Sequence, residues 1–228
     1  MTRYLYVGSA TPQADGERAE GIFVFRIDPS GAMEQVHSVV SGENPSFLAF
    51  HPSKKFLFSV NETDDGGASA FKVDPQNGNL ELINRVKVGG DLPCYISVSP
   101  DGRTLLVADY GSGSLTVIPV GEDGRLAGRI QLVQHKGFAA DPGRKLESYV
   151  EGMPAAGTIY TKQLPGSGVP AGVWPDRQER AHAHSIVLDP TARFALAADL
   201  GQDRVWVYRF ENGRLVANPE RAPQRETG

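Results

Sequence analysis

The chain has 228 residues, 40% hydrophobic and 22% charged, an ordinary make-up for one globular domain and a short one for two large domains. Its net charge of -4 and pI near 5.7 lack the basic footprint of a nucleic-acid binder, and no apolar run approaches the roughly 18 residues a membrane span needs. The single Cys94 excludes an internal disulfide and a cysteine-based metal cluster.

The opening stretch, Met1-Thr2-Arg3-Tyr4-Leu5-Tyr6-Val7, is too short for the apolar region of a signal peptide, and no small-residue cleavage site follows it. It reads as the first strand of a cytoplasmic protein. A loosely fitting first unit continues with Ile22 to Ile27, a Ser30-Gly31 turn and Met33 to Val40. From there a repeat is legible. Unit two has Asn44-Pro45-Ser46-Phe47-Leu48-Ala49-Phe50-His51-Pro52, then Lys55 to Asn61. Unit three has Leu92-Pro93-Cys94-Tyr95-Ile96-Ser97-Val98-Ser99-Pro100, then Arg103 to Asp109. Unit four has Ala181-His182-Ala183-His184-Ser185-Ile186-Val187-Leu188-Asp189-Pro190, then Arg193 to Asp199. Each joins two short apolar strands by a Pro-led turn and ends in Asn or Asp.

A third strand follows in each (Ala68 to Val73, Ser114 to Val120, Arg204 to Phe210), then Asn77-Gly78, Asp123-Gly124 or Asn212-Gly213, and a fourth strand beginning at Leu80, Leu126 or Leu215. Asn-Gly and Asp-Gly between apolar runs are strong hairpin signals. Pro52, Pro100 and Pro190 stand 48 and then 90 residues apart, so an extra segment of about 42 separates units three and four. Four antiparallel strands per repeat at this period read as an all-β propeller. The expected organisation is one partial propeller domain with blades at about 1–42, 43–90, 91–135 and 181–217, a long irregular insert at 138–172 and a polar tail at 218–228. A β-sandwich with unrelated hairpins is the competing fold; the regular spacing disfavours it.

Within the insert, Lys145 to Glu151 is the one stretch compatible with a helical turn or two. The remainder, rich in Gly, Pro and Ala, reads as disordered rather than functional. The tail holds no strand, so the stack is expected to be open. Open blade edges invite self-association.

Several motifs, in order along nearly the whole chain, carry a resemblance. They include Tyr6-Val7-Gly8-Ser9, Gly21-Ile22-Phe23-Val24-Phe25, Asn44-Pro45-Ser46-Phe47-Leu48-Ala49, Val60-Asn61-Glu62 and Pro93-Cys94-Tyr95. Ala108-Asp109-Tyr110-Gly111-Ser112-Gly113-Ser114, Gln134-His135-Lys136-Gly137, Arg177-Gln178-Glu179, His182-Ala183-His184-Ser185 and Ala198-Asp199-Leu200-Gly201-Gln202-Asp203-Arg204-Val205 follow. Together they resemble the seven-bladed β-propeller lactonase family, which includes propeller-type 6-phosphogluconolactonases and the carboxy-muconate lactonizing enzymes. The resemblance implies hydrolysis of a sugar lactone or sugar-phosphate lactone, typically 6-phosphogluconolactone, with no cofactor and no obligatory metal. It also implies about four of seven blades. The insert departs from the family pattern, in which the Gln-His-x-Gly stretch leads straight to the Arg-Gln and His-x-His stretches. In the muconate enzymes the proposed site combines a His with two Arg and a Glu. By blade register the His corresponds to His184; the other three fall in later blades, so Arg204 and Glu62 are not those residues.

Opening a lactone with water needs a base, donors for the oxyanion and cations for any phosphate. An imidazole titrates in the right range. His182 and His184, two apart on an expected inner strand, should point the same way, toward an axial channel. From residue type alone, a hydrogen-bonded packing role is the simpler reading of either. The His-x-His pattern and the resemblance make His184 the candidate catalytic base, with His182 orienting the rim. A metal reading of the pair lacks a third ligand at telling spacing. The residues expected around substrate are His182, Arg177, Asp109, Asp199 and Glu62. Asn61, Asp109 and Asp199 recur at one place, which argues first for turn capping and second for a polar ring in which the aspartates orient a histidine. Glu62 competes with a solvated rim carboxylate, and Arg177, Arg180 and Arg204 with ordinary surface charges. Cys94, in register with Ser46 and His184, reads as a small buried filler, and Gly111-Ser112-Gly113-Ser114 as a hairpin turn rather than a nucleophile elbow. A non-catalytic propeller fragment and a muconate-type cycloisomerase are the alternative functions.

Overall fold

The computed structural model describes residues 2–10, 21–137, 147–150, 158–159 and 177–218. Every regular element among them is a β-strand. The first sheet pairs β1 (Arg3–Gly8), β2 (Ile22–Ile27) and β3 (Met33–Val39) in order. The second pairs β4 (Leu48–Phe50), β5 (Phe56–Asn61), β6 (Gly67–Val73) and β7 (Leu80–Lys87). The third runs through β8 (Pro93–Val98), β9 (Thr104–Asp109), β10 (Ser114–Pro119), β11 (Gln131–Lys136) and β12 (Glu147–Val150). The fourth is built from β13 (Thr158–Ile159), β14 (Ala183–Leu188), β15 (Phe194–Asp199), β16 (Arg204–Glu211) and β17 (Arg214–Val216). There β14, β15 and β16 pair in order, and β13 and β17 share the far edge of β16. All pairings among the described residues are antiparallel, and the architecture is that of an all-β propeller with open ends.

The Pro-led turns explain why the strand pairs form. His51, Ser99 and Asp189, each just before the proline, close the same backbone turn. Their amides donate to Phe56, Thr104 and Phe194, and their carbonyls accept from Lys54, Gly102 and Ala192. Those last three residues share a left-handed conformation, with φ of 60°, 76° and 53°. The Asp189 carboxylate also accepts from the Thr191 hydroxyl and the amides of Thr191, Arg193 and Phe194. The Thr191 hydrogen bond, followed by those amides, lowers its pKa to about 2.

Strict alternation along each second strand then assigns one face to each neighbouring sheet. Leu57 turns toward the first sheet, with Phe71, Ile22 and Leu80. Phe58 and Val60 turn the other way, onto Ile96, Leu105 and Val107 of the third sheet. Leu106 and Ala108 continue the pattern against Ala195, Ala197, Trp206 and Tyr208 of the fourth. Four sheets thus stack face to face in chain order, with β4, β8 and β14 at the inner side.

Three local expectations change. Among the described residues the first sheet has no counterpart of β4, and β1 sits where β5 does: Tyr4 packs over Gly78 as Phe56 packs over Gly124. In the third sheet Leu126 makes only an isolated bridge to Val120, and the strand begins at Gln131. The intervening residues stay attached through the Ala127 and Ile130 amides, which donate to Pro119 and Val117. Lys145 to Glu151 is not helical over Glu147–Val150, which pairs with β11 instead; an available strand edge outweighs weak local preference. Thr158–Ile159, also within the 138–172 insert, pairs with β16; the remainder of the insert lies outside the described residues, as does the tail beyond the buried Asn218.

Phe58 is fully enclosed between the second and third sheets. Phe58→Ala should therefore cost about 3–5 kcal/mol of unfolding free energy, measured by urea denaturation followed by circular dichroism.

Candidate active site at the inner strand entrances

One backbone hydrogen bond recurs beside each inner strand. The amides of Glu62, Tyr110 and Leu200 donate to the carbonyls of Asn44, Leu92 and His182, at 2.9, 3.0 and 2.9 Å. This tie places Ser46, Cys94 and His184 at equivalent positions on one rim. The Ser46 hydroxyl donates to the Glu62 carboxylate. The Cys94 thiol faces the carbonyls of His184 and Ala183, at 3.5 and 3.8 Å. Burial, and then the charges of Glu62 and Asp109, push that thiol up to about 12, so it is no thiolate nucleophile.

The two rim histidines have different surroundings. Strand β14 begins only at Ala183, and its register shifts between Ala183 and Ser185. This bulge breaks the alternation that would have given the two rings one environment. His182 is buried and stacked on Tyr110, with ring centroids 4.3 Å apart. Its Nδ1 lies 2.9 Å from the Tyr110 carbonyl and its Nε2 3.0 Å from Glu179 Oε1, so both nitrogens face oxygen acceptors. Glu179 is held below the usual carboxylate range by its own backbone amide and then by His182. His184 is exposed and meets the edge of Tyr110 at 5.9 Å.

Behind the rim, the residue ending each second strand lies against the end of the fourth strand of the preceding sheet. Asn61 donates to the carbonyls of Ser41 and Glu43 at 3.2 and 3.0 Å and accepts from the Ser69 hydroxyl at 2.6 Å. Asp199 has a histidine opposite: His135 Nδ1 donates to Asp199 Oδ2 at 2.6 Å, and His135 Nε2 lies 2.8 Å from the Tyr208 hydroxyl. Asp199 Oδ1 accepts from the amides of His182 and Gln202, both at 2.9 Å. Gln202 extends the lock, accepting from the Trp206 indole and donating to the Lys136 carbonyl, both at 2.6 Å.

Asp109 has Gly90 packed against its carboxylate and no polar side chain of the preceding sheet bonded to it among the described residues. Its Oδ2 accepts from Thr116 and Ser114 at 2.8 and 3.1 Å, while Oδ1 is buried without a hydrogen-bond partner among the described residues. Burial pushes its carboxyl up to about 7, against the pull of Thr116 and Ser114; Asp91 adds to the rise and Arg129 opposes it.

Of the residues expected around substrate, His182, Asp109 and Asp199 are closed off and turned to protein partners, whereas Glu62 and Arg177, like His184, reach the surface. The aspartates do not orient His184 by side-chain contact: Asp199 holds His135 and the His182 backbone, and Asp109 holds β10. A cleft of about 380 Å³ opens beside Asn61, Glu43 and Arg85, without His184 in its lining. Sequence reasoning passed over Tyr110, His135, Gln202 and Tyr208. His135 and Gln202 lie in quoted motifs, but their partners stand 64 and 66 residues away.

The chain matches the family described as "Lactonase, 7-bladed beta-propeller" over residues 4–228. It is 27% identical to a 6-phosphogluconolactonase of Bacillus subtilis, covering 95% of this chain and 52% of the relative. It is 29% identical to a 6-phosphogluconolactonase of Formosa agariphila, over 97% of this chain and 53% of that one. Among solved structures, the periplasmic gluconolactonase of Pseudomonas aeruginosa superposes with a TM-score of 0.68 at 30% identity, over 96% of this chain and 56% of that one. The chain thus spans about half the length of the curated relatives it matches.

The Asp109 carboxyl makes stability depend on pH. Between the ordinary 3.8 and about 7 the folded chain holds a proton that the unfolded chain releases, so stability is fullest below that window and falls as pH rises through it. Asp109→Asn, which copies Asn61, should flatten this slope and raise the melting temperature at pH 8, as read by thermal denaturation from pH 4 to 8.

Proposed function

Because the chain belongs to the seven-bladed β-propeller lactonase family, we propose that it carries the histidine-bearing part of a lactone-opening site, with His184 as general base. The observation that carries the reading is the exposed His184 imidazole, lifted out by the β14 bulge and edge-on to Tyr110. Of the two rim histidines, His184 is open to solvent, whereas both His182 nitrogens are directed at protein oxygens. The names of the relatives point to a 6-phosphogluconolactone-type substrate.

The chemistry balances without a further reactant. His184 takes a proton from water as the water oxygen bonds to the lactone carbonyl carbon. The tetrahedral intermediate collapses with cleavage of the ring C–O bond. The imidazolium returns its proton to the departing alkoxide, and the product is the open hydroxy acid. Arg177, exposed at the entry to the fourth sheet, attracts the anionic substrate. Glu62, fixed by Ser46 on the same rim, accepts from a sugar hydroxyl. His182, Asp109 and Asp199 act on substrate only through the rim they hold in place.

The test is the rate of 6-phosphogluconolactone opening above its spontaneous hydrolysis. His184→Ala should lower the enzymatic rate by at least about 100-fold, and Arg177→Ala should raise KM more than it lowers kcat. A His184→Ala rate equal to that of the parent chain would overturn the assignment. Turnover of a muconate lactone without turnover of the sugar lactone would overturn the substrate class.

A further inference from the structure

A base and an anion-attracting arginine do not complete a lactone-opening site. The carbonyl oxygen that becomes negative as water adds also needs a hydrogen-bond donor. The backbone tie beside each inner strand puts three residues at one place on the rim: Glu62, Tyr110 and Leu200, whose amides donate to Asn44, Leu92 and His182. The position carries a carboxylate beside the second sheet, a phenol beside the third and an apolar side chain beside the fourth. Of the three, only Tyr110 brings a side-chain donor.

Its hydroxyl is unengaged. Tyr4, Tyr6 and Tyr208 bond Gln76, Gly78 and His135 through theirs, at 3.0, 2.8 and 2.8 Å. Those of Tyr95 and Tyr110 have no hydrogen-bond partner among the described residues, and neither is closed off from water. Tyr95 stands against Phe47, with ring centroids 4.3 Å apart, whereas Tyr110 meets His184. The Tyr110 ring is already held in place. Its amide donates to the Leu92 carbonyl at 3.0 Å, its carbonyl lies 2.9 Å from His182 Nδ1, and its face is stacked on the buried His182 imidazole at 4.3 Å and 22°. Toward His184 the centroids are 5.9 Å apart and the planes cross at 87°. That separation suits a water on the imidazole and a carbonyl on the phenol, each within roughly 3 Å of its partner. The third sheet has a described sheet on each face, so Tyr110 is open to the rim and not to an unstacked side.

We propose that the Tyr110 hydroxyl donates the hydrogen bond that stabilises the oxyanion of lactone opening, a role that rests on the lactone-opening reading of this rim. As the water oxygen bonds to the carbonyl carbon, the π pair moves onto the carbonyl oxygen, and the phenol donates to it. The phenol keeps its proton throughout. The pair returns to the carbon–oxygen bond as the ring C–O bond breaks. A donor bonds an oxyanion more strongly than a neutral carbonyl, so this contact lowers the barrier more than it tightens substrate binding. The stack on His182 fixes the donor before substrate arrives, so little is lost in reorganising it. His182 then has a part in the reaction without touching substrate, because it holds the ring that carries the donor.

Two measurements on the whole chain test the assignment. Tyr110→Phe removes one hydroxyl and keeps the ring, so its circular dichroism and melting temperature should match those of the parent. Its kcat for 6-phosphogluconolactone should fall by about 100-fold with KM unchanged, and Tyr95→Phe, which also removes an unengaged hydroxyl, should keep the parent rate. The second measurement needs no turnover. Gluconolactam, whose carbonyl resists opening by water, should shift the Tyr110 Cζ resonance, identified by its absence from Tyr110→Phe, in the parent chain and in His184→Ala alike. A parental rate in Tyr110→Phe, an equal loss in Tyr95→Phe, or a Tyr110 resonance that the lactam leaves in place would overturn the donor role. A parental rate in His184→Ala with the lactam shift intact would remove the base and leave the donor. A parent chain no faster than water would overturn both.

Discussion

A polar side chain at the inner end of a second strand, closed off from water, has to find its hydrogen bonds in the sheet that precedes it. Two of the three such side chains in this chain meet that constraint, and one does not. Asn61 reaches back to the Ser41 and Glu43 carbonyls. Asp199 receives the His135 imidazole. Asp109, against Gly90, receives nothing at one oxygen from the described residues and holds its proton to an unusually high pH. Hydrophobic packing between faces brings consecutive sheets together but is not directional. The buried polar tie fixes where along the strand they meet, because an offset would leave a desolvated group without its partner.

The same tie shapes the rim. Asp199 spends one oxygen on His135 and the other on the amides of His182 and Gln202. The chain entering β14 is thereby anchored one residue before the bulge that exposes His184. His182 is clamped further by Tyr110 and Glu179. The exposed imidazole rests on a rigid shell, the condition under which a single base can be positioned for chemistry. Ser46 and Cys94, at the equivalent positions of the two preceding sheets, offer a hydroxyl already engaged by Glu62 and a thiol kept protonated.

The strands and their order were legible because their signals are local. Alternation, the proline turns and the Asn-Gly and Asp-Gly hairpins each act over a few residues, and their recurrence supplied the blade period. The common position of Asn61, Asp109 and Asp199 was legible for the same reason. What each of them faces was not. Gly90 and His135 are set against Asp109 and Asp199 by sheet stacking, and no short-range pattern distinguishes a position that pairs an aspartate from one that strands it. The bulge at Ala183 was equally silent, since a one-residue irregularity leaves His-x-His looking like plain alternation. In the first unit, β1 reads from sequence only as the first strand of a loosely fitting repeat, whereas the Tyr4–Gly78 contact places it as the counterpart of β5.

His135 in the fourth strand of the third sheet and Asp199, which ends the second strand of the fourth, act as a pair, and the stacking of those two sheets rests on that pairing. A double-mutant cycle on His135→Ser and Asp199→Asn tests it directly, since together these changes install the residue types of Ser41 and Asn61, where the Asn61 amide donates to the main-chain carbonyls of Ser41 and Glu43. Each single change leaves a buried group without its partner and should cost about 3–5 kcal/mol. The double variant should recover a large part of that loss, with a coupling energy above about 1 kcal/mol. Losses that simply add would contradict the account.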